Sequence, residues 1–569
     1  MKLKLTSKEK KGNVKYEAQI KKLFQKLTRE FMEIYVLFYL CVFPLCMHDK
    51  YFDILSFRFE LFWKPTFVYG VIFTVLGLLY LISDALYNGG AIRRRFLTGL
   101  KEVREKGNSN SNGFLGRAKT ICRYLHISIV DIAITVLIIL FAISTALAEY
   151  PYEAFWGDRG RNQGLLMWLM LYISYWLVTR FYKFKKWHIW AYLAGASAVC
   201  VWGILNFFFF TFGMFEHADD TYKYTFVSSI GNINTYNAFT GIFFGVSVGM
   251  FIKSKTILCR IFAFLAVMVA SFGHIMGLSD NAVLSTGIVF IAAPLVLCDS
   301  YGHLSRYFVA VLTYLTALRI TYEIKAAGIH TMADGDAGIQ IKIAGQSLFI
   351  YVIVCVAIAA VLSIVMVCKS PGTSEISSEK RIMGRFKAFW IGIVSVVAGS
   401  IVIVLILANQ GWHEEIWTPY KNILIFNDSW GTGRGLCWRL GMEFWRNDAT
   451  FLMKLFGYGP DTFYIITMNR FMNIMQDAGY GMFDSAHNEY FEYFITVGIL
   501  GLAAYISFLY TSLREMLSRG NDSSKIIAMG ILAYALQAVV NIAIPITTPV
   551  FMIMLFAGIT VSKIEKANS

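Results

Sequence analysis

Long, charge-poor apolar segments recur along the whole 569-residue chain, and they restrict its possible folds more than any other feature. VYGVIFTVLGLLYLI (68–82), IVDIAITVLIILFAISTAL (129–147) and FIYVIVCVAIAAVLSIVMV (349–367) are examples. A backbone in hydrocarbon must satisfy its own N–H and C=O groups, which leaves helices or a closed barrel. The ten-residue alternating segments of a membrane barrel are absent. The chain is 57% hydrophobic and 16% charged with a mean hydropathy of +0.55, whereas a soluble domain carries about 25% charged residues. The expected fold class is therefore all-α: a polytopic membrane helical bundle.

Apolar runs place candidate spans at 32–47, 66–86, 127–147, 164–180, 188–213, 235–252, 257–275, 282–298, 305–324, 346–368, 388–408, 489–511, 525–542 and 548–562. That is about 14 transmembrane helices (12–14), since a bilayer core of about 30 Å needs roughly 20 residues of helix. With the N-terminus cytoplasmic, the inward loops hold most of the 52 Lys and Arg, as the positive-inside rule requires. The expected organisation is a basic cytoplasmic tail (1–31), spans one to eleven (32–408), a large extracellular loop (409–488), then the last three spans with a short cytoplasmic tail (489–569). The net charge of +15 belongs to this orientation pattern, so no nucleic-acid partner is expected. Nine cysteines without a CxxC indicate neither a disulfide framework nor a metal site. The first thirty residues lack the apolar core and cleavage site of a removable signal peptide.

On this topology the unusual polar residues gather outside. YPYEAFWGDRGRNQGLLMW carries Trp156, Asp158, Arg159 and Arg161, and TFVSSIGNINTYNAF carries Asn232 and Asn234. The large loop carries the Gly-rich turn GTGRG with Arg434, and FDSAHNEYFEYFITVGILG places His487 at the mouth of a span. Histidine titrates near neutrality and suits general-base work; the bland alternative is an interfacial histidine at a helix start. Glu489 and Glu492 read as first-turn carboxylates that complement the helix dipole. Asp484, Ser485 or Asn488 is placed to orient the imidazole. Arg319 falls in the outer third of a span, where a charge is either functional or snorkels to the surface. Arg439 and Arg470 sit on amphipathic loop segments and read as solvent-exposed, and Gln537 and Asn541 read as hydrogen-bonding glue between helices.

Several short motifs resemble the O-antigen ligase/polymerase family: WG…R-x-x-G (Trp156, Gly157, Arg161, Gly164), GNIN, R-x-x-x-W (Arg434 to Trp438), GYG (Gly457 to Gly459), AHNEYFEYFITVGILG and a late Q-x-x-x-N. They run in family order over about residues 150–560. One departure is LSDNAVLS with Asp280, where family members often carry Ser-Arg, so no arginine role is carried over there.

The resemblance implies a metal-independent, cofactor-free glycosyltransferase at the outer leaflet. Its donor would be a glycan on a polyprenyl diphosphate, usually undecaprenyl, and its acceptor a glycan or lipid. Other polysaccharide-assembly membrane proteins are implied partners. On this reading His487 is the catalytic base, and Arg434, Arg161, Arg319, Asn488, Asp484 and Asn234 bind diphosphate or glycan. Arginine fits that task because its planar fork stays charged and pairs with phosphate oxygens bidentately. Two other classes stay open: a transporter or flippase of lipid-linked glycan or a small solute, and a non-catalytic scaffold. Polymerase and ligase are not separated by any residue pattern in the chain.

Overall fold

A computed structural model of the chain describes residues 7–88, 90–109, 122, 124–157, 161–215, 225–329, 331, 338–369, 376–418, 421–518 and 520–564. Asp158, Arg159 and the outermost residues of both tails lie outside this set. Helix dominates. The strand content among the described residues is one two-residue antiparallel pairing, Phe226–Val227 with Gly231–Asn232. The principal helices are α1 (Ser7–Leu37), α2 (Ile54–Asn88), α3 (Ala91–Ser109), α4 (Ile129–Leu147), α5 (Leu165–Phe181), α6 (Trp187–Phe207), α7 (Ile233–Lys253), α8 (Ile257–Met276), α9 (Ala282–Leu297), α10 (Tyr301–Ala326), α11 (Ser347–Lys369) and α12 (Ile376–Asn409). They continue with α13 (Trp430–Glu443), α14 (Phe463–Asp477), α15 (Glu489–Thr496), α16 (Gly498–Ser518), α17 (Asp522–Gln537) and α18 (Thr548–Ile564).

Eight helices among the described residues are long and apolar enough to cross a membrane: α2, α4, α6, α7, α8, α11, α12 and α17. Helices α5, α9 and α18 are apolar but shorter. The remaining expected spans are helical for stated reasons outside both groups. The first continues α1, whose outer part is polar, through a π turn at Phe38–Val42. The ninth, α10, carries Arg306, Arg319, Glu323 and Lys325. The twelfth, 489–511, is two helices broken at Val497 and Gly498.

Helix α7 is the centre of the bundle: nearly its whole length is buried, and it packs on α17, α8, α9 and α10. Its glycines recur every fourth residue (Gly241, Gly245, Gly249) and form one narrow face. A methyl group on Gly245 would stand 2.6 Å from the Met529 carbonyl oxygen, and one on Gly530 of α17 would stand 2.8 Å from that of Ile242. Small residues thus let the two backbones touch, the usual device for helix association where lipid removes the hydrophobic driving force.

The segment 409–488 is folded. Helices α13 and α14 close over their own small apolar core, with Leu436, Leu440, Phe444, Phe463, Ile466 and Met475 buried in it. This unit is tied to the bundle through GYG. Tyr458 N–H donates to Ile495 O at 3.2 Å and Gly459 N–H to Thr496 O at 2.9 Å, capping the last carbonyls of α15. The Tyr458 hydroxyl donates to Glu149 at 2.7 Å, and Ser144 Oγ donates to Thr496 O at 3.0 Å. Gly457 (φ 84°) and Gly498 (φ 77°) meet face to face here, and a Cβ on Gly457 would collide with the Thr496 carbonyl.

On the far side of the same end, the buried Arg58 guanidinium donates to Pro44 O at 3.0 Å and Ser229 O at 2.9 Å and also bonds Phe43 O. The Tyr51 hydroxyl donates to Ser228 O at 2.6 Å. These bonds pin the segment after α1 to the turn that precedes α7.

Gly457→Ala should destabilise the protein by roughly 1–3 kcal/mol, through a left-handed backbone and a blocked backbone contact. Gly384→Ala, at a position open on all sides, should leave the melting temperature unchanged or raise it. Thermal unfolding in detergent measures both.

Candidate functional site

A cavity of about 430 Å³ opens where the two clamped segments face each other. Tyr51 and Asp53 form one wall; Asn234 and Asn541 a second; Arg161, Asp484 and His487 a third.

His487 owes its position to its neighbours. Its backbone is left-handed (φ 50°), a conformation histidine adopts more readily than most residues. Asn488 then caps α15, its side-chain oxygen accepting from Tyr490 and Phe491 N–H at 3.0 Å each. The preceding residues are held by α13: Trp438 Nε1–H donates to Ala486 O at 2.8 Å, and the Cys437 thiol lies 3.5 Å from Ser485 O. From within α15, Glu492 accepts the Ala486 N–H at 2.7 Å. R-x-x-x-W has a geometric sense here, because residues four apart share a helix face: Trp438 holds the segment leading to His487, and Arg434, one turn earlier, comes within electrostatic reach of the imidazole.

Burial pushes the His487 imidazole below its ordinary value; Asp484 pulls it back up, while Arg434 and Arg161 push it further down. The ring is therefore neutral at neutral pH. Its Nδ1 lies 3.1 Å from Ser485 O and 3.3 Å from Ser485 Oγ; the carbonyl only accepts and the hydroxyl oxygen can accept, so a proton on Nδ1 serves both contacts and leaves the lone pair on Nε2.

The other expected residues divide. Arg161 and Asp484 form an ion pair at the cavity wall, both half-buried. Beside Arg161, Gly157 (φ 89°) and Gly164 pack backbone to backbone, which accounts for the two glycines of W-G…R-x-x-G. Arg434 emerges from three left-handed residues, Gly431, Thr432 and Gly433. Its Nη1 donates to Gly431 O at 2.8 Å, while its buried Nε has no protein partner. Asp280, the departure from the family pattern, lies within electrostatic reach of Arg434 and accepts the Ile339 N–H at 2.8 Å. Asn234 lines the cavity with its carbonyl side engaged: Oδ1 accepts from Ser279 Oγ at 2.7 Å and Asn281 Nδ2 at 3.3 Å, and its backbone oxygen accepts from Asn541 at 2.9 Å. Asn488 serves as the helix cap and lines only a small cleft beside the cavity.

Arg319 stands elsewhere. It donates to Ala344 O at 2.7 Å, pairs with Glu323 and lies over the Tyr322 ring at 4.9 Å, in a separate groove on α10. Its partners satisfy it locally, so it does not join the His487 cavity. Arg439 makes a two-pronged pair with Asp428 (2.9 Å twice), and Arg470 pairs with Asp448 at 3.4 Å, both at the surface of the folded loop.

Glu489 is not a surface cap. It is buried, accepting from the Tyr505 hydroxyl and from that of Tyr534 at 3.2 Å. With Glu492, Asp461 and Gln163 it lines a cleft of about 20 Å³ directly behind Asn488. Gln163 is 5% exposed and neither of its amide atoms has a protein partner, although its N–H donates to Asp461 at 2.9 Å. A polar cleft of that size fits about one water molecule. Sequence offered a signal only for the glutamates, through their place in AHNEYFEYF; Gln163, Asp461 and Tyr51 carry none. No protein-family model matches the chain, and no curated protein sequence matches it.

The histidine titration provides a test of this geometry. Arg434→Gln should move the His487 midpoint upward by removing a repelling cation, and Asp484→Asn should move it downward by removing an attracting anion. Histidine-labelled NMR over a pH series reads both directions.

Proposed function

We propose that the protein is a membrane glycosyltransferase of the O-antigen ligase/polymerase type, acting on a polyprenyl-diphosphate-linked glycan at the outer leaflet. In this reading about 14 helices span the cell membrane, both termini are cytoplasmic, and the folded segment 409–488 is extracellular. The observation that carries the reading is the shared cavity of His487, Arg161, Asp484 and Asn234, with Arg434 beside it.

Arg434 has spare donors for a diphosphate, while Arg161 approaches it already paired with Asp484. His487 Nε2 accepts the proton of an acceptor sugar hydroxyl as its oxygen attacks the anomeric carbon of the donor. The bond from that carbon to the diphosphate oxygen breaks, and its electron pair leaves with the diphosphate. The arginines stabilise that growing charge in a site with restricted access to water, where such stabilisation is strongest. Asn234 offers its amide nitrogen to sugar hydroxyls, and Asn541, whose Nδ2 donates to the Asn234 backbone oxygen at 2.9 Å and to Gln537 Oε1 at 2.7 Å, holds that residue in place. Asp484 acts through Arg161 and through the charge it sets on the imidazole.

A transporter draws support from one feature, the buried chain Thr240–His274–Ser285 inside the bundle, with His274 bonded at 2.7 and 2.9 Å. Loss of solute uptake with unaltered cell glycans in a deletion strain would favour it over transfer chemistry.

His487→Asn, which keeps a side chain that tolerates the left-handed backbone, should leave insertion and melting temperature unchanged and lower transfer roughly 100- to 10,000-fold, and His487→Ala should lose transfer equally with a small drop in melting temperature. Arg434→Ala should raise KM for the lipid-linked donor, by about tenfold or more. Transfer by the wild type should fall on acidification, with its midpoint lower than that of an ordinary imidazole, because the base works unprotonated and its pKa is depressed. Unchanged polymer length and yield in the His487→Ala strain would remove the imidazole from the reaction.

A further inference from the structure

Helix α7 has 21 residues, so its last residue, Lys253, lies about 30 Å along the helix from Asn234 and the His487 cavity. At that distant end, α8, α10 and α11 enclose an open groove of about 510 Å³. Its length is apolar, with Ile261, Leu265, Val309, Ile364 and Val367 along it, and several of these are strongly exposed (Ile261 50%, Leu265 49%). Its head is different. Arg260 at the start of α8 and Arg306 at the start of α10 sit together there.

The two guanidinium groups bond only to backbone carbonyls. Arg260 donates to Ser254 O at 3.3 Å and Lys255 O at 3.1 Å; Arg306 donates to Gly302 O at 2.8 Å and shares Ser254 O. Among the described residues neither is paired with a carboxylate. The carboxylates in this region are committed elsewhere: Asp299 to Lys253 (2.7 Å) and Lys387 (3.0 Å), Asp522 to Lys253 (3.2 Å), and Glu379 to the Tyr301 N–H (2.7 Å). Lys253, Lys255, Arg260, Arg306 and Lys387 outnumber these three acids, so the head of the groove is net positive.

We propose that this groove binds an anionic phospholipid, its phosphate held between Arg260 and Arg306 and one acyl chain lying along Ile261, Leu265, Val309 and Ile364. Two adjacent cations repel unless an anion lies between them, and arginine forks match phosphate oxygens. An exposed apolar channel leading away from the pair needs a covering that a free phosphate cannot supply. A phospholipid satisfies both demands, and basic pockets between spanning helices are a recognised form of headgroup recognition. The site does not touch the His487 cavity and does not depend on what that cavity does.

The test uses the full chain, purified in mild detergent and exchanged into nanodiscs of phosphatidylcholine with or without phosphatidylglycerol, then released for native mass spectrometry. The wild type should retain phosphatidylglycerol, and R260Q/R306Q should retain about tenfold less or lower. Leu265→Trp, which fills the channel and keeps both arginines, should also lose retention, whereas Arg306→Lys should keep most of it. Melting temperatures in detergent alone identify any variant that fails to fold; if R260Q/R306Q does, the comparison of Leu265→Trp with Arg306→Lys decides. Equal retention of phosphatidylcholine, unchanged retention in R260Q/R306Q, or complete displacement of the lipid by millimolar inorganic phosphate would overturn the proposal.

Discussion

The interruption of the helix at Val497 and Gly498 is the constraint on which the His487 end of the molecule depends. A continuous helix from 489 to 518 would leave Ile495 and Thr496 carbonyls bonded within it. Instead they accept from Tyr458 and Gly459, so the folded segment is joined to the bundle by backbone as well as by side chains. Backbone bonds do not swing as side-chain contacts do. The short α15 is thereby held at a fixed angle, and everything attached to its N-terminus inherits that angle: the Asn488 cap, the His487 turn and the carboxylates of Glu489 and Glu492.

A second layer of order comes from charge. Arg161 reaches Asp484 across more than three hundred residues of sequence, and Arg434 approaches the same imidazole from the opposite element. The cations suit the cavity to an anion and at the same time disfavour protonation of His487. Binding and basicity are therefore served by the same groups, the combination that the proposed transfer from a lipid diphosphate requires.

Much of the architecture was legible in the sequence. The apolar runs mark the helices because a backbone in hydrocarbon must satisfy its own hydrogen bonds, and every expected span overlaps a helix, eight of which among the described residues are long and apolar enough to cross a membrane. The grouping of Arg161, Asn234, Asp484 and His487 was legible from motif order. The rest was not, for identifiable reasons. Hydropathy is blind to a one-residue left-handed break, so 489–511 read as one span. Arg319 looked functional because an isolated intramembrane charge is costly, but Glu323 and the Ala344 carbonyl satisfy it within its own neighbourhood. Asn488 did not show its capping role because Glu489 and Glu492 drew that role to themselves. Arg58 lies near the edge of an apolar run, and only the fold shows that it staples two chain-distant turns.

The left-handed turn at His487 narrows what evolution can try there. Few side chains tolerate that backbone without strain; glycine, asparagine, aspartate and histidine are among them. Of these four, histidine alone supplies an imidazole, and a lysine or glutamate in its place would meet a steric penalty before any chemical one. Backbone geometry thus narrows the substitution spectrum at position 487 before any chemistry does, and if the proposed transfer needs an imidazole, drift there has almost nowhere to go.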